Sequence, residues 1–314
     1  MRIDIKGFIT CKDAERFSDC ADHYAFNVAA HRFAISDGVT RSFFPKVWSR
    51  ILVEQFVALD GATNFGLEAC QAAWFDEVSK IALDPNAKWF TRNAFLRNEA
   101  GMATLVTLSL QEEEMTWEAK ALGDSFLFFI PEDAKEDFAR WTKLSSKQDP
   151  INFDNYPDYL ASRGIGKGES QTATGPLEAG TFCLMTDALS EWMFNDPTEA
   201  LSFITEEWTD QAHFETSIKQ LRDTGLLHDD DSSLLIIKAQ DDGLGGISYG
   251  DINITDLDER IEMEKAMQKC KNAMEALLTE ADDRLNTLLQ TFNLTDNARQ
   301  LIKEQLAQEY ALAH

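Results

Sequence analysis

Apolar residues in the first three quarters of the chain gather in short runs, several with the two-residue period of a half-buried strand. These are IDIKGFIT from Ile3, HYAFNVAA from His23, RFAIS from Arg32, MATLVTLSLQ from Met102, AKALGDSFLFFI from Ala119, TFCLMT from Thr181 and SSLLIIK from Ser232. Their Val, Ile, Phe and Thr content suits strands, some apolar on both faces. Two segments carry a helical period instead. Residues 45–59 repeat Trp48, Ile51, Leu52 and Phe56, and the next segment repeats Leu67, Cys70, Trp74, Val78 and Ile81. Trp48 and Trp74 then face the core. A third helix is expected over residues 197–221, before the last strand. Strands bunched around helices rather than alternating with them predict an α+β layered sandwich.

At QDDGLGGISYG the pattern breaks. The expected organisation is a catalytic domain over 1–240, a Gly-rich linker over 241–250 and a helical extension over 251–314. In that extension Met267, Cys270, Met274, Leu277, Ala281, Leu285, Leu288 and Phe292 follow three- and four-residue steps, which draw an apolar stripe along one helix face. Past FNLTDN, where Thr295 or Asp296 can cap a new helix, Leu301, Ile302 and Leu306 continue the pattern. A helical hairpin folded on its own domain and a dimerising or partner-binding coiled coil both fit.

Composition narrows the function. With 44% hydrophobic and 11% aromatic residues the chain folds despite a net charge of -25. Asp and Glu number 54 against 29 Lys and Arg, which argues against nucleic acid or an anionic membrane as partner. No apolar run approaches the roughly 18 residues of a span, and the first residues lack a signal-peptide pattern. A cytoplasmic location is expected. Cys11, Cys20, Cys70, Cys183 and Cys270 are odd in number and never spaced as CxxC, so neither a disulfide framework nor a zinc ribbon is indicated.

The chemistry lies at strand ends, where an acidic residue beside an apolar strand costs folding energy unless something compensates it. Asp37 follows RFAIS, Asp124 sits in the Gly-Asp-Ser break of AKALGDSFLFFI, Asp187 ends TFCLMT, and Asp229, Asp230 and Asp231 precede SSLLII. A single such Asp reads as a turn or helix cap. Four sites in one domain point to clustered carboxylates, which repel one another unless cations lie between them. An oxygen-only set suits Mg²⁺ or Mn²⁺ rather than zinc.

The order of these segments resembles the PPM family of metal-dependent, type 2C Ser/Thr protein phosphatases. The matching segments are CADHYAFN around Asp22, SDG ending at Gly38, GMAT ending at Thr104, GDS around Asp124, TDA around Asp187 and DDSSLLII from Asp230. The resemblance runs from Met1 to about Ala239. It implies a four-layer α-β-β-α sandwich of two antiparallel sheets flanked by helices, with two Mn or Mg ions and room for a third. Asp37 would bridge both ions, the Gly38 carbonyl would bind one, and Asp187 and Asp230 would complete the other. Asp22 would hold a water, and Asp124 with Asp187 would host the third ion. The implied activity is hydrolysis of phosphoserine or phosphothreonine in a protein, without a protein nucleophile.

Three departures bear on activity. Ala21 stands where the family has Glu before the first Asp. Arg16 falls one position from the family's phosphate-gripping Arg, leaving Arg41 as the alternative clamp. Ala188 follows Asp187 in place of Gly. A catalytically weak module with a binding or regulatory role, and a scaffold acting through its C-terminal helices, are therefore rival readings. RGIGKGES from Arg163 reads as a surface loop where the family has a flap, and His228 beside the Asp triplet reads as a capping or solvated residue.

Overall fold

The computed structural model describes residues 1–312, apart from 60–64, 148–150, 154–156 and 293. The chain begins with β1 (Arg2–Thr10), β2 (His23–Asn27), β3 (Arg32–Ser36), α1 (Pro45–Val57), α2 (Leu67–Ala82) and α3 (Trp89–Leu96). It continues through β4 (Met102–Ala103), β5 (Leu105–Gln111), β6 (Thr116–Leu122), β7 (Phe126–Pro131), β8 (Thr142–Leu144), β9 (Leu160–Ala161), β10 (Gln171–Pro176) and β11 (Gly180–Met185). Then come α4 (Asp187–Asn195), α5 (Pro197–Ser202), α6 (Gln211–Asp223), β12 (Ser232–Gln240), β13 (Ser248–Ile254), α7 (Leu257–Gln290) and α8 (Asp296–Leu312).

The strands form a six-stranded sheet ordered β13-β1-β12-β11-β7-β8, a five-stranded sheet ordered β10-β6-β5-β3-β2, and a two-stranded β4-β9 ribbon. Strand periodicity decides what lies between the layers. Ile3, Ile5, Leu127, Phe129, Phe182, Leu184, Leu235 and Ile237 of the larger sheet meet Phe33, Ile35, Val106 and Leu108 of the smaller one. The alternate residues of the same strands, Phe126, Phe128, Cys183, Met185, Leu234 and Ile236, face the opposite way and pack with α4, α5 and α6. On the smaller sheet Ala34 and Leu105 pack with Trp48, Leu52, Cys70, Trp74 and Val78 of α1 and α2. Strands buried on both faces must be continuously apolar, and these are. Three stacked cores therefore separate four layers, the α-β-β-α sandwich that the resemblance implied.

Two expectations about the larger sheet change. It is not wholly antiparallel, because β13 runs parallel to β1. Nor is the Gly-rich segment a linker between domains. β12 ends with Gln240 opposite Arg2, and β13 begins with Ser248 opposite the same residue. Between them the chain passes around its own N-terminus, whose amino group donates to Asp242 Oδ1 at 2.9 Å and to the Gly246 carbonyl at 2.7 Å. A strand that rounds the start of β1 and reverses has to run parallel to it. The first compact unit accordingly extends over Met1–Arg260.

Other segments differ in detail. The helix expected over 197–221 is α5, a π-helical turn over Phe203–Glu207, and α6. The break falls where Trp208 is buried and Asp210 caps α6 by accepting from the His213 N–H. The MATLVTLSLQ run splits into β4 and β5 at Thr104, for a reason that belongs to the site below. No helix is long and apolar enough to cross a membrane among the described residues.

The second unit, Ile261–His314, comprises most of α7 and the whole of α8. The two helices are joined by an ion pair from Lys303 Nζ to Asp282 Oδ1 at 2.7 Å. Asn293 of the connecting FNLTDN lies outside the described residues.

Because Ile254 packs into the core between the sheets, where to end the chain has a definite answer. A protein ending at Arg260 should keep the melting temperature of the first unit. One ending at Gly250 loses a core isoleucine worth about 2 kcal/mol, and it should melt several degrees lower by circular dichroism. Equal melting of the two would overturn the assignment of β13 to the sheet.

Candidate metal centre

The end of β3 is tied to two other strand ends by small hydroxyl side chains. Asp37 N–H donates to Thr104 Oγ1 at 3.0 Å, and Thr104 N–H donates back to the Asp37 carbonyl at 2.8 Å. Thr104 Oγ1 lies 2.7 Å from Ser125 Oγ, and Ser36 Oγ donates to the Thr104 carbonyl. Thr104 therefore leaves the strand pairing that its neighbours make, which is why β4 and β5 are separate. The three motifs SDG, GMAT and GDS meet at this one threonine. Two glycines permit the approach. Gly123 has φ of 107°, and a Cβ there would collide with the Thr104 side chain. At Gly38 a Cβ would stand 2.9 Å from the Ala21 carbonyl.

This scaffold gathers carboxylates. One oxygen each from Asp37, Asp124 and Asp187 lies within 4.8 Å of the others. Asp187 opens α4 and accepts from the Ala188 N–H at 2.7 Å. Burial, followed by Asp124 and Asp230, pushes its pKa up to about 8, against the opposing pull of the Ala188 N–H and Lys12. Burial also drives Asp37 well above the carboxylate range, with Asp22, Asp187, Asp124 and Asp230 adding to it.

Asp22 is wholly buried and is likewise raised, by burial first and then by Asp231 and Asp187. Neither of its oxygens meets a donor in regular hydrogen-bond geometry among the described residues. The Thr186 and Ser233 hydroxyls lie near enough to moderate the shift without satisfying it. An uncompensated buried carboxylate is costly.

The Asp triplet divides its work. Asp231 is spent on structure, since its Oδ2 accepts from the Ala21 N–H at 2.8 Å and its Oδ1 from the Lys12 N–H at 3.1 Å. Asp229 accepts from the Asp13 N–H. Asp230 is half-buried, its Oδ1 accepts from the Asp231 N–H at 2.8 Å, and its charge adds to the raised pKa of Asp37 and Asp187. Behind it lies Arg222 of α6, only 4% exposed. That guanidinium donates to the Asp230 and Cys11 carbonyls and to Ser232 Oγ, fixing the end of β1 to the start of β12.

The cations beside the cluster are lysines. Lys12 Nζ lies 3.0 Å from Asp230 Oδ1 and donates to Thr40 Oγ1 at 3.1 Å. Burial lowers its pKa, but Asp230, with Asp231 and Glu15 beyond it, more than offsets this and holds the ammonium above its usual range. Lys147 Nζ lies 3.9 Å from Asp124 Oδ2. Arg16 and Arg41, the expected phosphate clamps, are exposed, and no hydrogen bond or ion pair of their side chains is found among the described residues. Lys12 was legible by the rule that found the aspartates, as a charged residue just past an apolar strand. Lys147 carried no such signal.

Other expected features lie outside the cluster. His228 is exposed beside Glu191. In the RGIGKGES loop Arg163 lies over the rings of Trp74, Phe75 and Phe95 and donates to the Phe95 carbonyl, which fastens the loop to α2 and α3.

An all-carboxylate set of one buried and two half-buried aspartates, with the buried Asp22 beside it, fits hard divalent cations of the Mg²⁺ and Mn²⁺ kind. Asp37, Asp124 and Asp187 are the side chains that converge closely enough to share one.

No model of a known protein family matches the chain, and no curated protein matches it either. Among solved structures it is similar to serine/threonine phosphatase Stp1 from Staphylococcus aureus, at 12% identity and TM-score 0.49, covering 76% of this chain and 96% of that one. It is similar to the catalytic domain of serine threonine protein phosphatase PstP, solved with two manganese ions, at 13% identity and TM-score 0.48, covering 76% and 99%. A third similar structure is PppA, described as a key regulatory component of T6SS in Pseudomonas aeruginosa, at 16% identity and TM-score 0.47, also covering 76% and 99%.

The raised carboxyls make the metal-free protein pH-sensitive. Asp187, at about 8 against an ordinary 3.8, binds its proton more tightly folded than unfolded. The stability this brings is complete below about pH 4 and is lost as pH rises through about 8. Melting temperature in chelator should therefore fall between pH 5 and pH 9. Added Mn²⁺ or Mg²⁺ should raise it most at the alkaline end. A metal-free melting temperature that climbs over this range would contradict the buried cluster.

Proposed function

We propose that the first unit is a metal-dependent phosphatase of the PPM kind, hydrolysing phosphoserine or phosphothreonine in proteins. The observation that carries the reading is the convergence of Asp37, Asp124 and Asp187, the second buried and the other two half-buried, delivered by three separate strand ends. The six motif segments in family order support it. Divalent ions held there would activate a water and neutralise charge on the transferred phosphoryl group.

The chain's own residues do the rest. Asp37 and the Gly38 carbonyl, with Asp124, Asp187 and Asp230, would hold the cations. Asp22, wholly buried beside the cluster, would orient the attacking water. Lys12, anchored between Asp230 and Thr40, offers an ammonium to the phosphate oxygens in the role expected of Arg16 or Arg41. No side chain need attack phosphorus.

A second reading, a module that binds metal and phosphoprotein without turnover, is favoured by Ala21 in place of Glu and by the outward placement of both arginines. Hydrolysis of p-nitrophenyl phosphate and a phosphopeptide with Mn²⁺ or Mg²⁺, with and without chelator, separates the two. Metal binding without turnover in either assay selects the second.

Within the preferred reading, Asp37→Ala should lose activity by several orders of magnitude. Asp22→Ala, acting through a water, should lose about 10 to 100-fold. Equal and small losses in the two would remove the assignment. Lys12→Ala should weaken transition-state binding by about 1.5–3 kcal/mol, the size of a charge-assisted contact, while Arg41→Ala stays near wild type. The reverse order would return the clamp to Arg41.

A further inference from the structure

Two arginines break a rule that the other arginines of this chain keep. Of the 13 in the sequence, all but Arg16 and Arg41 donate from the guanidinium to a carboxylate or a backbone carbonyl among the described residues. In a chain with 54 acidic residues, a guanidinium without one is an anomaly. It is also more weakly hydrated than an ammonium, and its planar fork gains most from a carboxylate or phosphate.

Both exceptions stand on loops of the metal centre. Arg16 lies between Lys12 and Asp22, and Arg41 follows Asp37, Gly38 and Thr40. Neither loop is loose. Asp231 accepts from the N–H groups of Lys12 and Ala21 at the ends of the first, the Arg16 carbonyl accepts from the Asp19 N–H at 2.8 Å, and Lys46 Nζ donates to the Phe17 and Ser18 carbonyls. In the second, Ser42 N–H donates to the Val39 carbonyl at 2.9 Å, and Ser42 Oγ accepts from the Met102 N–H at 2.9 Å. Lys12 Nζ joins the two loops through Thr40 Oγ1 at 3.1 Å. Acids close in sequence leave both arginines unpaired. Asp13 is taken by Arg222 at 2.8 Å, Glu15 and Asp19 are exposed beside Arg16 without pairing to it, and residues 38–53 contain no acid at all.

A protein of net charge -25 repels an anionic segment unless local cations receive it. The phosphoryl group itself falls to the divalent ions and Lys12. What remains for two guanidinium groups on the adjoining loops is the substrate chain around the phosphorylated residue, and the anionic side chains that match their forks are Asp and Glu.

We propose that Arg16 and Arg41 set substrate preference by binding Asp or Glu side chains that flank the phosphorylated residue, so that the site takes phosphoserine or phosphothreonine within an acidic segment. This rests on the phosphatase reading for the central site, although a module that binds without turnover would show the same preference.

Fluorescence anisotropy of the full-length protein with Mn²⁺ tests it. Two labelled peptides would carry the same non-hydrolysable phosphonate in place of phosphoserine, one flanked by Asp and Glu and the other by Ser and Gln. The acidic peptide should bind more tightly by about two- to fivefold for each arginine, the range of exposed ion pairs, and added salt should shrink the difference. Arg16→Ala and Arg41→Ala should each remove a share of the preference. Arg16→Glu with Arg41→Glu should reverse it, which a merely structural role would not do, and the melting temperature should hold because both positions are exposed. Hydrolysis of p-nitrophenyl phosphate, which has no flanks, reports on the phosphatase reading alone. Turnover there with equal affinity for the two peptides would keep that reading and overturn this one, and peptide preference without turnover would do the opposite. A preference that survives the double charge reversal would also overturn the proposal.

Discussion

Carboxylates buried against one another dominate the energetics of the first unit. Asp22 and Asp124 are buried and Asp37 and Asp187 half-buried at apolar strand ends, and desolvation and mutual repulsion drive Asp22, Asp37 and Asp187 toward their neutral forms. A fold tolerates such a cluster only if its surroundings are stable enough to hold it and if cations relieve it. Lys12 and Lys147 relieve its edges. The centre, where Asp37, Asp124 and Asp187 converge, is left to whatever cation the oxygens attract.

The sandwich supplies the holding force. Three apolar cores lock the registers of the strands, so that β3, β7, β11 and β12 reach one edge together. Local polar ties then set the final positions. Thr104 gives up its place in a continuous strand to bind Asp37 on one side and Ser125 on the other. Arg222 bridges β1 to β12, and both oxygens of Asp231 are committed to backbone N–H groups. These groups hold in place the side chains whose chemistry the site would use, much as buried hydrogen bonds orient ligands in metal sites.

The second unit follows other rules. Its helices bury little of their apolar surface among themselves and carry alternating blocks of basic and acidic residues on α7. Such a surface is unfavourable alone in water and favourable when paired. The two units thus differ: the first sets a cluster of carboxylates among apolar cores, and the second leaves apolar side chains of α7 exposed.

Much of this was legible in the chain itself. Strand and helix periods disclosed β1, β3, β11, β12, α1 and α2, because each buries side chains at a regular spacing that needs no knowledge of the partner. The strand-end rule picked out Asp37, Asp124, Asp187 and the triplet Asp229, Asp230 and Asp231, since an acid beside an apolar run is anomalous wherever the run goes. What the chain alone left undecided depended on partners distant in sequence. Asp231 and Asp230 are adjacent and chemically identical, and only the N–H groups of Lys12 and Ala21 commit Asp231 to structure. The Gly-rich segment carries every local mark of a linker. It becomes a turn only because the N-terminus lies in its path and β1 offers a free edge to Ser248–Ile254. Lys12 stands beside Asp230 for the same reason: electrostatic partnership is set by distance in space, and local sequence does not encode it.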